Sequence, residues 1–176
     1  MPNPTDADPT PGATDARAEP RTDRRLAVRE DHHCFGCGQQ NPIGLRLPFY
    51  EEAGGTGRVW APWTPAREHQ GFEGIAHGGL ITTVLDEVMG WVLYQRHIWA
   101  VTGTITVRFR RPVELGVETR AVAWVVREAS RKVDVAAELR RTSDDLLLAE
   151  ATAVFVRVSE EQATAWQGRY VGDEVA

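Results

Sequence analysis

Cysteine is scarce: Cys34 and Cys37 are the only two in 176 residues. A secreted disulfide scaffold needs more of them, so that class is excluded. No apolar run reaches the length of a membrane span. The first residues carry acids and prolines, not the basic start and apolar core of a signal peptide. An excess of basic charge is also missing. The formal net charge is −5, which argues against a general electrostatic grip on nucleic acid or on an anionic membrane. These absences set the expectation of a cytoplasmic protein with no nucleic-acid and no membrane partner.

Large apolar side chains are nearly absent from the beginning of the chain, which is rich in Pro, Asp, Thr and Ala. Such a segment buries too little surface to offset its ordering entropy, so residues 1–28 read as a disordered tail. Residues 29–160 suit one domain with a proper core, and residues 161–176 read as a C-terminal tail. A short helix with Trp166 packing back is compatible with the start of that second tail.

The stretch around which the rest is organised runs from His69 to Tyr94. It opens on a turn punctuated by Gly71, Gly74, Gly78 and Gly79 and becomes a long helical pattern. Leu80, Ile81, Val84, Leu85, Val88, Met89 and Val92 recur at helical spacing and form a wide apolar face. Thr82, Thr83, Asp86 and Gly90 form a second stripe, in which Gly90, four residues after Asp86, leaves bare helix beside the carboxylate. Gly78 and Gly79 leave the first N–H groups of the helix uncovered, at the end where the dipole favours negative charge. That end suits an anion, or an oxygen that becomes anionic during a reaction, with Asp86 about two turns away as base or nucleophile. The same spacing also fits a flexible loop followed by a solvated aspartate.

Before this stretch, DHHCFGCGQQNPIGLRL brings together His32, His33, Cys34 and Cys37. A structural zinc site needs about four ligands, and one Cys-x-x-Cys pair beside two adjacent histidines falls short of the usual pattern. The Gly, Asn and Pro around the pair read as turns, so a structural turn is expected and no metal, with a metal site and a redox pair as the alternatives. Residues 44–50 and 57–61 alternate as two strands. After the helix, residues 98–111, 116–128, 132–141 and 146–158 read as four strands joined by short turns, expected to pair with their sequence neighbours. The sum is an α+β domain: an antiparallel β-sheet wrapped around one long central α-helix.

Three motifs then carry a resemblance. CFGCGQQNPIGL opens the domain, HQGFEGIAHGG leads into LITTVLDEVMG, and TGTITVRFRRPVELG forms the long strand after the helix. Together, over about Cys34 to Val158, they are similar to the hotdog-fold acyl-CoA thioesterases of the phenylacetate-pathway type. The resemblance implies a hotdog fold and thioester hydrolysis without a cofactor or metal. Residue by residue, it implies that Asp86 is the base or nucleophile and that the Gly78 N–H holds the thioester oxygen. His77 shapes the loop, Thr102 orients the water or the acid, and Gln70 with Gly71 fits a His-Gln-Gly variant of the motif. Gly71 and Gly79 lie against the substrate, and basic residues such as Arg110, Arg131 and Lys132, with Arg108 and Arg111, are candidates to meet the CoA phosphates. The resemblance also implies a homodimer or a dimer of dimers, since helix start and acid of one site come from different subunits. A hotdog protein that binds acyl-CoA without cutting it is the alternative reading. A hydratase is disfavoured, because the spacing of His77 and Asp86 does not match the paired acid and histidine of that chemistry.

Overall fold

The computed structural model describes residues 22–170. Strands β1 (Arg24–Arg25), β2 (Tyr50–Glu51) and β3 (Val59–Trp63) precede helix α1 (Gly78–Tyr94). Strands β4 (Ala100–Phe109), β5 (Thr119–Glu128), β6 (Lys132–Arg141) and β7 (Leu147–Arg157) follow, and helix α2 (Glu160–Tyr170) comes last. All strands lie in one antiparallel sheet in the order β1-β2-β3-β5-β6-β7-β4. The sheet curls around α1 in the hotdog manner, as its motifs and its alternating strands lead one to expect.

Burial follows the periods read in the sequence. On α1, Ile81, Val84, Leu85, Val88, Met89, Trp91, Val92 and Leu93 are buried. Facing them, β6 turns Val133, Val135, Ala137 and Leu139 inward, each the second residue along a strand with a period of two. The neighbouring strands present Ala121, Ala123, Ala149, Ala151 and Ala153 at 0–4 % exposure. Methyl-sized side chains on the sheet leave room for the bulkier side chains of the helix. Met89 is fully buried in this core. Trp91 is 1 % exposed and stacks on Phe49 with ring centroids 4.7 Å apart. Trp91→Ala is therefore expected to cost about 3–5 kcal/mol, read as a lower urea midpoint; a loss under about 1 kcal/mol would show that this stack is dispensable.

Three expectations need correction. The chain joins the sheet before residue 29: Arg24–Arg25 pairs with Tyr50–Glu51, and Leu26 is 2 % exposed. Asp23 anchors that entry, accepting from Ala53 N at 2.9 Å and from Trp60 Nε1 at 2.8 Å. The remainder of the expected N-terminal tail, residues 1–21, lies outside the described residues. Second, of the expected strand over residues 44–50 only Tyr50 is in the sheet, as the first residue of β2. Arg46 has φ 51°, which breaks an extended run. Leu45 and Leu47 donate instead to Phe35 O and Gly36 O, so this segment buries Leu47 and Phe49 by lying along the cysteine loop.

Third, β4 does not pair with β5. It lies at the far edge beside β7, and β3 takes the place next to β5. The link over residues 110–118 spans that gap and is fastened to the glycine-rich loop before α1. Ala76 N donates to Val113 O, Leu115 N to Gly74 O and Gly116 N to Pro65 O. The link thus ties the start of the helix to the end of β4. Among the described residues no helix is long and apolar enough to cross a membrane. The C-terminal segment forms α2 through Tyr170, with Trp166 half-buried.

Candidate active site

His77 is the N-cap of α1. Its backbone is extended (ψ 132°) and its Nδ1 accepts from Gly79 N at 2.9 Å, which satisfies one of the orphan donors of the first turn. A Cβ on Gly79 would lie 3.0 Å from that Nδ1, so glycine is what lets the ring close on the helix. With Gly79 N engaged, the neighbouring Gly78 N–H stands at the helix mouth with no protein acceptor among the described residues. Phe109, at the end of β4, closes over Gly78; a Cβ there would touch its ring at 3.4 Å. Gly71 stands just upstream, donating from its N–H to Ile75 O.

Asp86 lies on the other half of α1. Its Oδ1 accepts from Thr102 Oγ1 at 2.7 Å, near the start of β4. β4 kinks by a register shift between Thr102 and Thr104, and Gly103 lets it close on β7, where a Cβ would meet Val156 at 3.0 Å. Burial pushes the Asp86 carboxyl above the usual carboxylate range, and the Thr102 hydroxyl partly opposes this by supporting the charged form. The pair opens on a cavity of about 640 Å³ with Gly90, Trp91, Tyr94, Val101 and Phe155 in its wall. Gly90 is the bare patch of helix expected beside the carboxylate.

The remaining candidates are dispersed. Gln70 Oε1 accepts from Gly74 N at 3.0 Å, so its amide caps the turn before the helix. It lines a separate open groove with Thr64, Pro65 and Glu73 and is not in the wall of the Asp86 cavity. Arg110 follows Phe109, at the Gly78 end of β4, and pairs with Glu150 at 2.5 Å. Arg131 and Lys132 sit at the opposite end, where Lys132 pairs with Val156 and Ala100 with Arg157. The three basic residues therefore do not form one cluster within a chain.

Sequence reasoning missed Glu87, the next residue after Asp86. It turns toward the cysteine loop, and Cys34, Cys37, His32 and His33 share the wall of the Asp86 cavity with it. Burial, and then the charge at Cys34, push Glu87 up to about 7. Cys34 is held down to about 5, chiefly by the hydrogen bond from Cys37 and then by backbone N–H groups of Cys37 and Gly36. Cys37 is driven upward by donating to Cys34 and by burial. The local pattern carried no signal for this meeting, because 53 residues separate Cys34 from Glu87. Trp166 and Arg169 of α2 also line the cavity and were not anticipated there.

A carboxylate held on the central helix of a wrapping antiparallel sheet, beside an open edge strand, defines a hotdog domain. Residues 73–148 match the family model of the thioesterase superfamily. The acyl-coenzyme A thioesterase THEM4 of Xenopus laevis is 29% identical over 120 residues, covering 68% of this chain and 53% of that protein. The chain thus spans about half the length of the curated relatives it matches. The E. coli PaaI protein from the phenylacetic acid degradation operon superposes with a TM-score of 0.59 at 18% identity, covering 65% of this chain and 81% of that one. A Streptococcus mutans protein solved with acetyl CoA superposes at 0.56 and 21% identity, covering 58% and 82%.

Proposed function

We propose that the protein hydrolyses an acyl-CoA, or a related acyl thioester, to the free acid and the thiol. The observation that carries this reading is Asp86: a carboxylate hydrogen-bonded by Thr102, desolvated, and facing a cavity large enough for an acyl chain. The curated relatives named as acyl-CoA thioesterases, and a fold neighbour solved with acetyl CoA, favour the same chemistry.

Asp86 takes a proton from water as the oxygen attacks the thioester carbonyl, or attacks the carbonyl itself. The Gly78 N–H stabilises the oxyanion, whose collapse releases the thiolate, and the thiolate is then protonated. Gly78 and Asp86 are eight residues apart on one helix, roughly 12 Å along its axis. One carbonyl cannot sit about 3 Å from both. The site is therefore shared between two copies of the chain, the helix mouth of one facing Asp86 of the other. β4 suits such pairing, being an edge strand with Val101 and Phe109 exposed at 44 % and 54 %. A two-fold arrangement also brings Arg110 of one subunit toward Arg131 and Lys132 of the other, as a rim for the CoA phosphates. His77 fixes the loop that presents Gly78, and Gly79 leaves the mouth uncovered. Gln70 supports that loop through Gly74.

Thiol release from phenylacetyl, benzoyl, short-chain and medium-chain CoA esters tests the proposal directly. Turnover of at least one is expected; tight binding of every ester with no release would make the protein a non-catalytic acyl-CoA binder. The pH profile adds a second test. A base works deprotonated, so the acid limb of kcat/KM is expected above the ordinary aspartate value of 3.8. Thr102→Val removes a hydrogen bond that favours the charged carboxylate, so that limb moves to higher pH. A shift downward, or none, would separate Thr102 from the titration of Asp86.

A further inference from the structure

The loop around Cys34 and Cys37 is folded more tightly than a connection requires. Gly38 N donates to Cys34 O at 2.9 Å, and Leu45 and Leu47 pin the loop from the outside through Phe35 O and Gly36 O. His32 braces the loop, its Nδ1 accepting from Cys34 N at 3.3 Å. The open side faces α1, where Glu87 extends into it. A Cβ on Gly36 would lie 2.3 Å from Glu87 Oε2, so the carboxylate reaches the cysteines only because residue 36 is glycine.

Three ligand-type atoms converge as a result. The two sulfurs and a Glu87 oxygen all lie within 4.8 Å of one another. Cys34 Sγ is 3.7 Å from Glu87 Oε1 and 3.8 Å from Oε2. Tetrahedral zinc, with bonds of about 2.3 Å to sulfur and about 2.0–2.2 Å to oxygen, places such ligands roughly 3.6–3.8 Å apart. The Cys34–Glu87 separation is already that of a coordinated pair, and the Cys37 sulfur lies within 4.8 Å of both.

We propose that Cys34, Cys37 and Glu87 bind a thiophilic divalent cation, of the zinc class, at a three-ligand site whose fourth position opens on the Asp86 cavity. Two thiolates select a soft or borderline ion over magnesium or calcium. Three protein ligands with one free position is the arrangement of zinc sites that keep a water or an incoming group. All three ligands lie in the wall of the cavity, so the free position faces it. His32, with Nδ1 engaged by the loop, buttresses the ligands from outside. The site is independent of the hydrolytic role of Asp86 and stands or falls separately from it.

Cobalt(II) is the probe, because thiolate ligation gives it an intense charge-transfer band and strong visible bands in four-coordination. Reduced, chelator-stripped full-length protein is expected to bind one equivalent per chain with both features, and zinc is expected to displace it. Glu87→Gln is nearly isosteric and should weaken binding by more than about tenfold, while Cys34→Ser and Cys37→Ser should each weaken it further and reduce the thiolate band, and the double serine substitution should abolish that band. Wild-type protein that shows no thiolate band overturns the proposal without need of any variant. Unchanged affinity in Glu87→Gln overturns the three-ligand set. Stoichiometric binding that survives both serine substitutions together places the ion elsewhere and overturns the site.

Discussion

Asp86→Asn is expected to lower kcat/KM for thioester hydrolysis by about 10²–10⁴-fold, the range that a positioned general base supplies. The substitution is informative because it changes little else. The amide has the shape of the carboxylate and keeps an oxygen to accept from Thr102 Oγ1, which now holds Asp86 Oδ1 at 2.7 Å. What it loses is a lone pair able to take a proton, or to attack. Stability should not fall. Burial raises the Asp86 value above 3.8, so the folded state binds its proton more tightly than the unfolded chain does. The contribution of Asp86 to stability is therefore full below about 3.8 and declines as pH rises through the raised value. Above that value Asn removes a desolvated charge, and the variant should be as stable as wild type or more so. Kinetics on a responsive ester, beside urea unfolding at neutral pH, check both halves. Activity within about tenfold of wild type would remove Asp86 from the chemistry.

Gly78→Pro should be almost as damaging, by about 10²–10³-fold, the cost of one oxyanion donor. Proline deletes the N–H and belongs at the first position of a helix, where that N–H has no intrahelical partner. His77, extended at ψ 132°, has the backbone that a residue before proline prefers. Far-UV circular dichroism should thus stay unchanged while turnover falls. Mixing this variant with Asp86→Asn then tests the shared site. If helix mouth and acid come from different chains, a mixed dimer contains one doubly altered site and one intact site. Random exchange of subunits makes half of the dimers mixed, so about a quarter of wild-type activity should return. No recovery after verified exchange would mean that each chain carries its own complete site, against the roughly 12 Å between the two groups.

The legible parts of this chain were those governed by local period. The apolar spacing from Leu80 to Val92 set the face of α1, because a helix brings residues three and four apart to one side. The alternation in residues 132–141 set the inward row of β6 in the same way. Among the site candidates, His77 and Gly78 lie together at the helix mouth, and Asp86 accepts from Thr102. Gln70 was legible as part of the loop, yet its amide turns back onto Gly74 N. Nothing local says which way a side chain in a tight turn will swing.

What residue order determined by itself was the set of elements: one long helix with a carboxylate on its polar stripe, four long strands after it, and a glycine-framed helix start. These follow from backbone geometry and side-chain alternation within a few turns of chain. Only the tertiary structure decided that β4 crosses to the far edge beside β7, because register and strand order come from burying distant surfaces against one another. The same packing turned Glu87 away from Asp86 and into the cysteine loop, fifty-three residues upstream of it. Adjacent residues on a helix point about 100° apart. One acid therefore faces Thr102 and the other faces two thiols, and that choice was made by what packs around the helix.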